Sequence, residues 1–197
     1  MGWVTHKHSL LADRAHSGNW YSTAFDTNRQ FMHIRPYIDQ DLPALHQINK
    51  MGEPGVGAVC AGELSDIIGM GRCLVATDTS GLPIGFILLL EPGTAYASPN
   101  YKWFDTTYAG TKTRCVYVDR IAIHAHAQGV GLGTQLYSAA FASCTGRFDC
   151  IVCEVNTLPP NPGSLRFHKR LGFVEVGHQV FTPGIKAVVY LERPLRS

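Results

Sequence analysis

Apolar positions along this chain follow two periods. Phe148 to Val155 is almost unbroken apolar sequence, the pattern of a central strand covered on both faces. Arg72 to Thr77 and Ile84 to Leu90 read as two strands, and Ser80-Gly81-Leu82-Pro83 between them predicts a hairpin turn. Further strands are predicted over Met32 to Arg35, Arg114 to Ile123, Phe173 to Val176 and Lys186 to Leu191. Elsewhere the spacing is helical. Leu42, Leu45 and Ile48 share a face; Asp39 and Asp41 stand where a helix N-terminus favours carboxylates, and Pro43 is tolerated in the first turn. Glu63 to Met70 predicts a second helix. Thr134 to Ser143 predicts a third, with Leu132, Leu136 and Ala140 as its inner stripe. Ser164 to Leu171 predicts a fourth, stopped by Gly172. The order β-α-α-β-β-β-α-β-α-β-β describes an α/β domain around a mixed central sheet of six to seven strands, flanked by about four helices.

Two stretches break the pattern. Residues 1–31 are rich in His, Ser, Asn and Thr and show no sustained period, so they are expected to be a flexible N-terminal extension of a domain spanning 32–197. His6 and His8 within it are read as a solvated pair. Pro92 to Thr113 is too long for an idle connection. It carries Tyr96, Tyr101, Trp103, Phe104 and Tyr108, and either folds a small helix or forms a lid whose rings receive a cationic substrate. Tyr101 and Trp103, with Tyr117 on the following strand, are the candidate substrate contacts.

Composition narrows the function classes. The 197 residues are 45% hydrophobic and 16% charged with a net charge of +2, too small a surplus to predict nucleic acid or an anionic membrane as partner. No apolar run approaches the length that spans a bilayer, and the N-terminus lacks a signal-peptide core; a cytoplasmic protein is expected. Cys150-x-x-Cys153 looks like half a zinc site, but on a strand an odd separation sends the two thiols to opposite faces, and no second pair follows. No metal is expected. The assembly state is left open, a homodimer among the alternatives.

The stretch richest in chemistry is Gln128-Gly129-Val130-Gly131-Leu132-Gly133-Thr134, between a predicted strand and a predicted helix. Alternating glycines bare the backbone, and the helix start adds free N–H groups and the positive end of its dipole, a place suited to phosphate. The P-loop pattern fails, because Gly133 is followed by Thr134-Gln135 rather than Lys-Ser or Lys-Thr. The dinucleotide pattern fails too, because Thr134 and Leu136 occupy the places of its last glycine.

The stretch does resemble Q/R-x-x-G-x-G, the pyrophosphate loop of the GNAT acyltransferase superfamily, through Gln128, Gly131 and Gly133. Tyr117-Val118-Asp119-Arg120-Ile121-Ala122-Ile123 resembles the family's fourth strand. Asn161-x-x-Ser164-x-x-Phe167-His168-x-x-x-Gly172-Phe173 resembles its second signature, N-x-x-A-x-x-F-Y-x-x-x-G-F. A narrower similarity, through Ser98-Pro99-Asn100-Tyr101-x-Trp103-Phe104 and Glu154-Val155-Asn156-x-x-Pro159-Pro160-Asn161-Pro162, is to a bacterial branch of predicted GNAT acetyltransferases and implies no particular acceptor. The resemblance implies a sheet splayed between its fourth and fifth strands and acetyl-CoA as co-substrate. It implies that the backbone of Ile121, Ala122 and Ile123 meets the thioester and pantetheine, that Gln128 to Thr134 hold the pyrophosphate, and that Asn161, Ser164 and Phe167 lie beside the cofactor. The tyrosine with which the family protonates the departing thiolate is replaced by His168.

Moving an acetyl group from sulfur to an amine requires removing a proton from the amine, whose pKa in water is about 10.4 for a lysine-like group. It also requires N–H donors aimed at the carbonyl oxygen and an acid for the leaving thiolate. Glu154 and Asp119 are the candidate bases, Glu154 being preferred, with water-relayed deprotonation as the alternative. Asp119 is expected to sit in an ion pair, but not with Arg120, since adjacent strand residues face apart. His168 is the candidate acid, because imidazole donates a proton near neutral pH. Cys115 is a further, separate candidate as nucleophile, although nothing sets an activating histidine beside it. The expected reaction is N-acetylation of a small amine, an amino acid or a protein amine. The alternatives are an acyl-CoA-binding sensor with little turnover and a longer acyl donor.

Overall fold

The computed structural model describes residues 33–195. The expected extension over 1–31 lies outside them. Seven strands form one sheet in the order β1-β2-β3-β4-β5-β7-β6. The strands are β1 (His33–Pro36), β2 (Arg72–Thr77), β3 (Pro83–Leu90), β4 (Cys115–Ile123), β5 (Cys150–Leu158), β6 (Val174–Thr182) and β7 (Lys186–Pro194). The helices are α1 (Leu42–Met51), α2 (Ala61–Met70), α3 (Pro99–Tyr108), α4 (Leu132–Cys144) and α5 (Pro162–Arg170). All neighbouring strands run antiparallel except β4 and β5.

Alternation along the strands divides the core in two. Val75, Phe86, Leu88, Val152 and Tyr190 face α1, α2 and α3, joining Leu45, Ile48, Leu64, Tyr101 and Phe104. Leu74, Ile87, Leu89, Ile151 and Leu191 face the other way, against Leu132, Leu136, Tyr137 and Ala140 of α4. Leu165, Phe167 and Leu171 of α5 pack against this second cluster. Cys150 and Cys153 fall into opposite clusters, as their odd separation predicts.

The parallel pair positions everything that follows. β4 and β5 are registered over three positions only, Cys115↔Cys150, Val116↔Ile151 and Tyr117↔Val152. Beyond them the strands part. β4 is also bulged: Leu88 pairs with Arg120 and Leu89 with Val118, so Asp119 has no partner across the ladder. One extra residue inverts the alternation. Cys115 and Tyr117 face the α1–α3 side before the bulge, and Ala122 faces it afterwards.

Four expectations change. The 92–113 segment contains α3, a fifth helix; Tyr101 and Phe104 lock it into the core, where a lid would need to stay free. β6 runs on to Thr182, because β7 supplies a ladder along almost its whole length. Helix α4 starts at Leu132, two residues before the expected Thr134, since Gly131 turns left-handed there. Cys115 and Cys150, facing each other with Cα atoms 4.6 Å apart, form a disulfide. That bond removes the thiol a Cys115 nucleophile requires. Cys115, Cys150 and Glu192 also form a metal-spaced group among the described residues, but with both sulfurs bonded to each other neither is a thiolate ligand.

Candidate active site

A cavity of about 1150 Å³ fills the gap between β4 and β5. At one end lies the turn after β4. Gly129 and Gly131 hold φ of 78° and 86°, left-handed values open to glycine without strain. Gly131 is the N-cap of α4 and offers no side chain to the helix, and the first turn carries no acidic residue. The first intrahelical bond is Gln135 N to Gly131 O, so the N–H groups of residues 132–134 have no partner within the helix. Gly129, Gly131, Gly133 and Thr134 line the cavity. Unpaired donors and an uncompensated helix dipole make this end an anion site. A Cβ at Gly133 would stand 3.1 Å from the Phe167 ring, so a side chain there needs the ring to give by a few tenths of an ångström.

The other end is built from side chains. Glu154 is half-buried on β5; the Tyr117 hydroxyl donates to its Oε2 at 2.8 Å and the Asn100 amide to its Oε1 at 2.9 Å. The protein around it strips water from the carboxylate and, with a smaller push from the Asp119 charge, raises its pKa to about 7; the Tyr117 and Asn100 hydrogen bonds pull the other way. Asn100 is itself braced, since its Oδ1 accepts from the Tyr190 hydroxyl at 3.2 Å, which also donates to Gln179 at 2.8 Å.

Asp119 and Arg120 are a buried ion pair, their side chains 4% and 5% exposed. The expectation that they face apart is corrected by the bulge, which removes the alternation at that point. Arg120 also donates to Asn49 Oδ1 at 2.9 Å and reaches Gly57 O at 3.4 Å, while the Asn49 amide donates to Gly57 O at 3.1 Å. These bonds pin the loop of residues 52–58 from the β4 side. Asn156 on β5 donates to Pro54 O at 3.3 Å and pins it from the opposite side. The loop thereby walls the cavity across the gap.

His168 lies on α5 and is 4% exposed. Its Nδ1 is 2.8 Å from the Ser164 carbonyl, which only accepts, so Nδ1 carries the proton. Its Nε2 is 2.7 Å from the Tyr137 hydroxyl. Burial lowers the imidazole pKa and keeps the ring neutral, so Tyr137 is the donor in that contact. Asn161 caps α5 by accepting from Ser164 N at 3.1 Å.

Of the residues expected at the site, Asp119, Ile121, Ala122, Ile123, Gln128, Gly129, Gly131, Leu132, Gly133, Thr134, Glu154, Asn161, Ser164, Phe167 and His168 line this cavity. Val130 does not; its side chain is exposed. Tyr101 and Trp103 do not line it. The Tyr101 hydroxyl donates to Glu91 O and accepts from Thr94 N, and Trp103 stacks on Tyr190 with ring centroids 4.0 Å apart. Their aromatic spacing belongs to the core face of α3. Tyr117 is also off the wall and reaches the site only through Glu154. Sequence reasoning missed Asn100, beside Tyr101 on α3, and Tyr137, a hydroxyl inside an apolar helix stripe.

A family model described as "Acetyltransferase (GNAT) family" matches residues 19–173. Among curated proteins no sequence match was found. Among solved structures, Ard1 from Thermoplasma volcanium is 17% identical with a TM-score of 0.66, covering 84% of this chain and 99% of that one. The NatC complex bound to Gag peptide and CoA contains a chain 13% identical, TM-score 0.64, covering 84% and 99%. The spermidine/spermine N-acetyltransferase SpeG from Vibrio cholerae, in complex with manganese ions, is 21% identical, TM-score 0.57, covering 83% and 92%. Likeness at this identity speaks to the fold; the family match carries the class, and the chain belongs to the GNAT family of acetyltransferases.

Proposed function

We propose that this protein transfers an acetyl group from acetyl-CoA to a primary amine by direct attack within a ternary complex. One observation carries the reading. A single cavity joins an anion-binding helix start to a carboxylate whose pKa stands at about 7. The turn of residues 128–134 receives the pyrophosphate on its free N–H groups. The exposed edge of β4 beyond the splay, Ile121 to Ile123, receives the pantetheine arm and aims N–H donors at the thioester oxygen. Asn161, Ser164 and Phe167 close the opposite wall. Glu154 accepts a proton from the incoming amine; a base poised near the working pH is half in its reactive form and still basic enough to act. Asp119, committed to Arg120, shapes the loop 52–58 and leaves the proton work to Glu154.

The amine is a small amine, an amino acid or a protein amine. The solved neighbours span a peptide complex and a polyamine enzyme, so the fold alone does not choose among them. Isothermal titration with acetyl-CoA and with CoA, followed by thiol release across a panel of amines, tests the reading. Micromolar binding with amine-dependent thiol release is expected. Binding without release for any amine supports a sensor instead, and no binding removes the proposal.

A further inference from the structure

Resting on that reaction, we infer that the Tyr137 hydroxyl is the group that gives a proton to the departing sulfur, and that His168 serves as the positioning residue that holds it. Tyr137, on α4, is among the residues that line the cavity. Its ring is fully buried among Phe141, Phe167, His168 and Phe173, with centroids 5.4–5.8 Å away, so the hydroxyl sits in a fixed place.

The other proton-bearing groups nearby are committed. The His168 proton is on Nδ1 and points at the Ser164 carbonyl; Nε2, the nitrogen facing the Tyr137 hydroxyl, carries none. His168 therefore cannot hand a proton forward from Nε2 while neutral. Ser164 Oγ sits 3.3 Å from His168 Nδ1 and is an alcohol with little acidity. Among the described residues lining the cavity, Tyr137 combines a transferable O–H with a partner that fixes its direction. Burial raises its own pKa, so it stays protonated and available.

The amine nitrogen bonds to the acetyl carbon and loses a proton to Glu154. The carbon–sulfur bond breaks, its electron pair stays on sulfur, and the Tyr137 O–H turns from Nε2 to sulfur and transfers its proton. The products are the amide and free CoA thiol, and Tyr137 regains a proton from water as they leave, while Glu154 releases its own.

The test compares Tyr137→Phe, His168→Gln and His168→Phe with the wild type. Turnover is read by thiol release, and donor affinity by calorimetry with CoA. The wild-type rate reports on the reaction itself; the variant ratios report on this assignment alone. Tyr137→Phe is expected to lower kcat by about a hundredfold, within the range for loss of a general acid, with CoA affinity within about twofold of wild type. His168→Gln, which keeps an acceptor for the hydroxyl, is expected to retain several-fold more turnover than His168→Phe, a split that a packing role would not produce. Should Tyr137→Phe fail to fold, this pair decides alone: equal rates for Gln and Phe overturn the assignment. Wild-type kcat in a folded Tyr137→Phe overturns it as well. So does loss of turnover in His168→Phe while Tyr137→Phe stays active, which makes His168 the acid.

Discussion

The two ends of the cavity are built from different materials. The phosphate end is main chain: two left-handed glycines, a helix start without a cap, and no charged side chain in the turn itself. The proton end is side chain: Glu154 between Tyr117 and Asn100, with Asp119 and Arg120 alongside. A main-chain site is specified locally, by which residues lack a Cβ and where a helix begins. A side-chain site is specified by how distant strands and helices come together. Glu154 is reached by Tyr117 from 37 residues away and by Asn100 from 54.

The two ends should therefore respond differently to substitution. The largest effect is expected at the proton end. Glu154→Gln keeps the size of the side chain and removes its basicity, so kcat should fall by about 10² to 10⁴, with CoA affinity unchanged by calorimetry. In the wild type, kcat/KM should rise with pH and level off above about 7, as the Glu154 carboxylate forms. A flat profile from pH 5 to 8 would dissociate the carboxylate from the chemistry. Next is Asp119→Ala. It strands Arg120, 6% exposed, without its counter-charge, and should cost about 3 kcal/mol of stability in urea unfolding. An undiminished midpoint would mean that Asn49 and Gly57 satisfy the guanidinium by themselves.

A smaller effect is expected at the phosphate end. Gly131→Val forces a β-branched residue into a left-handed turn, with strain of about 1–2 kcal/mol, and should weaken CoA binding about tenfold while leaving the rate at saturating donor near wild type. A fall in kcat with unchanged affinity would reverse the roles given to the two ends. The last effect concerns pH and folding. The Glu154 pKa in the folded chain lies above the ordinary 4.5, so its contribution to stability is complete below about 4.5 and is lost as pH rises through about 7. Relative to Glu154→Gln, the wild type should lose about 2.5 kcal/mol between pH 5 and 8, read from paired denaturation curves.

The same contrast explains what the sequence discloses. The glycine spacing and the ends of β2 appear in the sequence because each is set by residues a few positions apart. The α/β order follows for the same reason. The direction of Asp119 does not appear, since a period-two reading has no means of placing the single extra residue in β4. Tyr101 and Trp103 look like substrate contacts from composition, but their spacing along a helix turns them to the core, and the residue between Pro99 and Tyr101 reaches the site instead. Tyr137 is hidden in the stripe of Leu136 and Ala140, where a phenol is read as bulk until His168 is seen opposite its oxygen. The Cys115–Cys150 bond needs the register of two strands separated by a whole helix.

That short register has a mechanical meaning. Three facing positions join a half with four strands to a half with three, and past them the 52–58 loop hangs from both. A molecule lodged in the gap leans on both halves at once and completes the arch as a keystone does. At a hundred times its dissociation constant such an occupant adds about 2.7 kcal/mol to the free energy of unfolding. The supply of thioester in the cell would then govern how long the folded chain lasts as well as how fast it works.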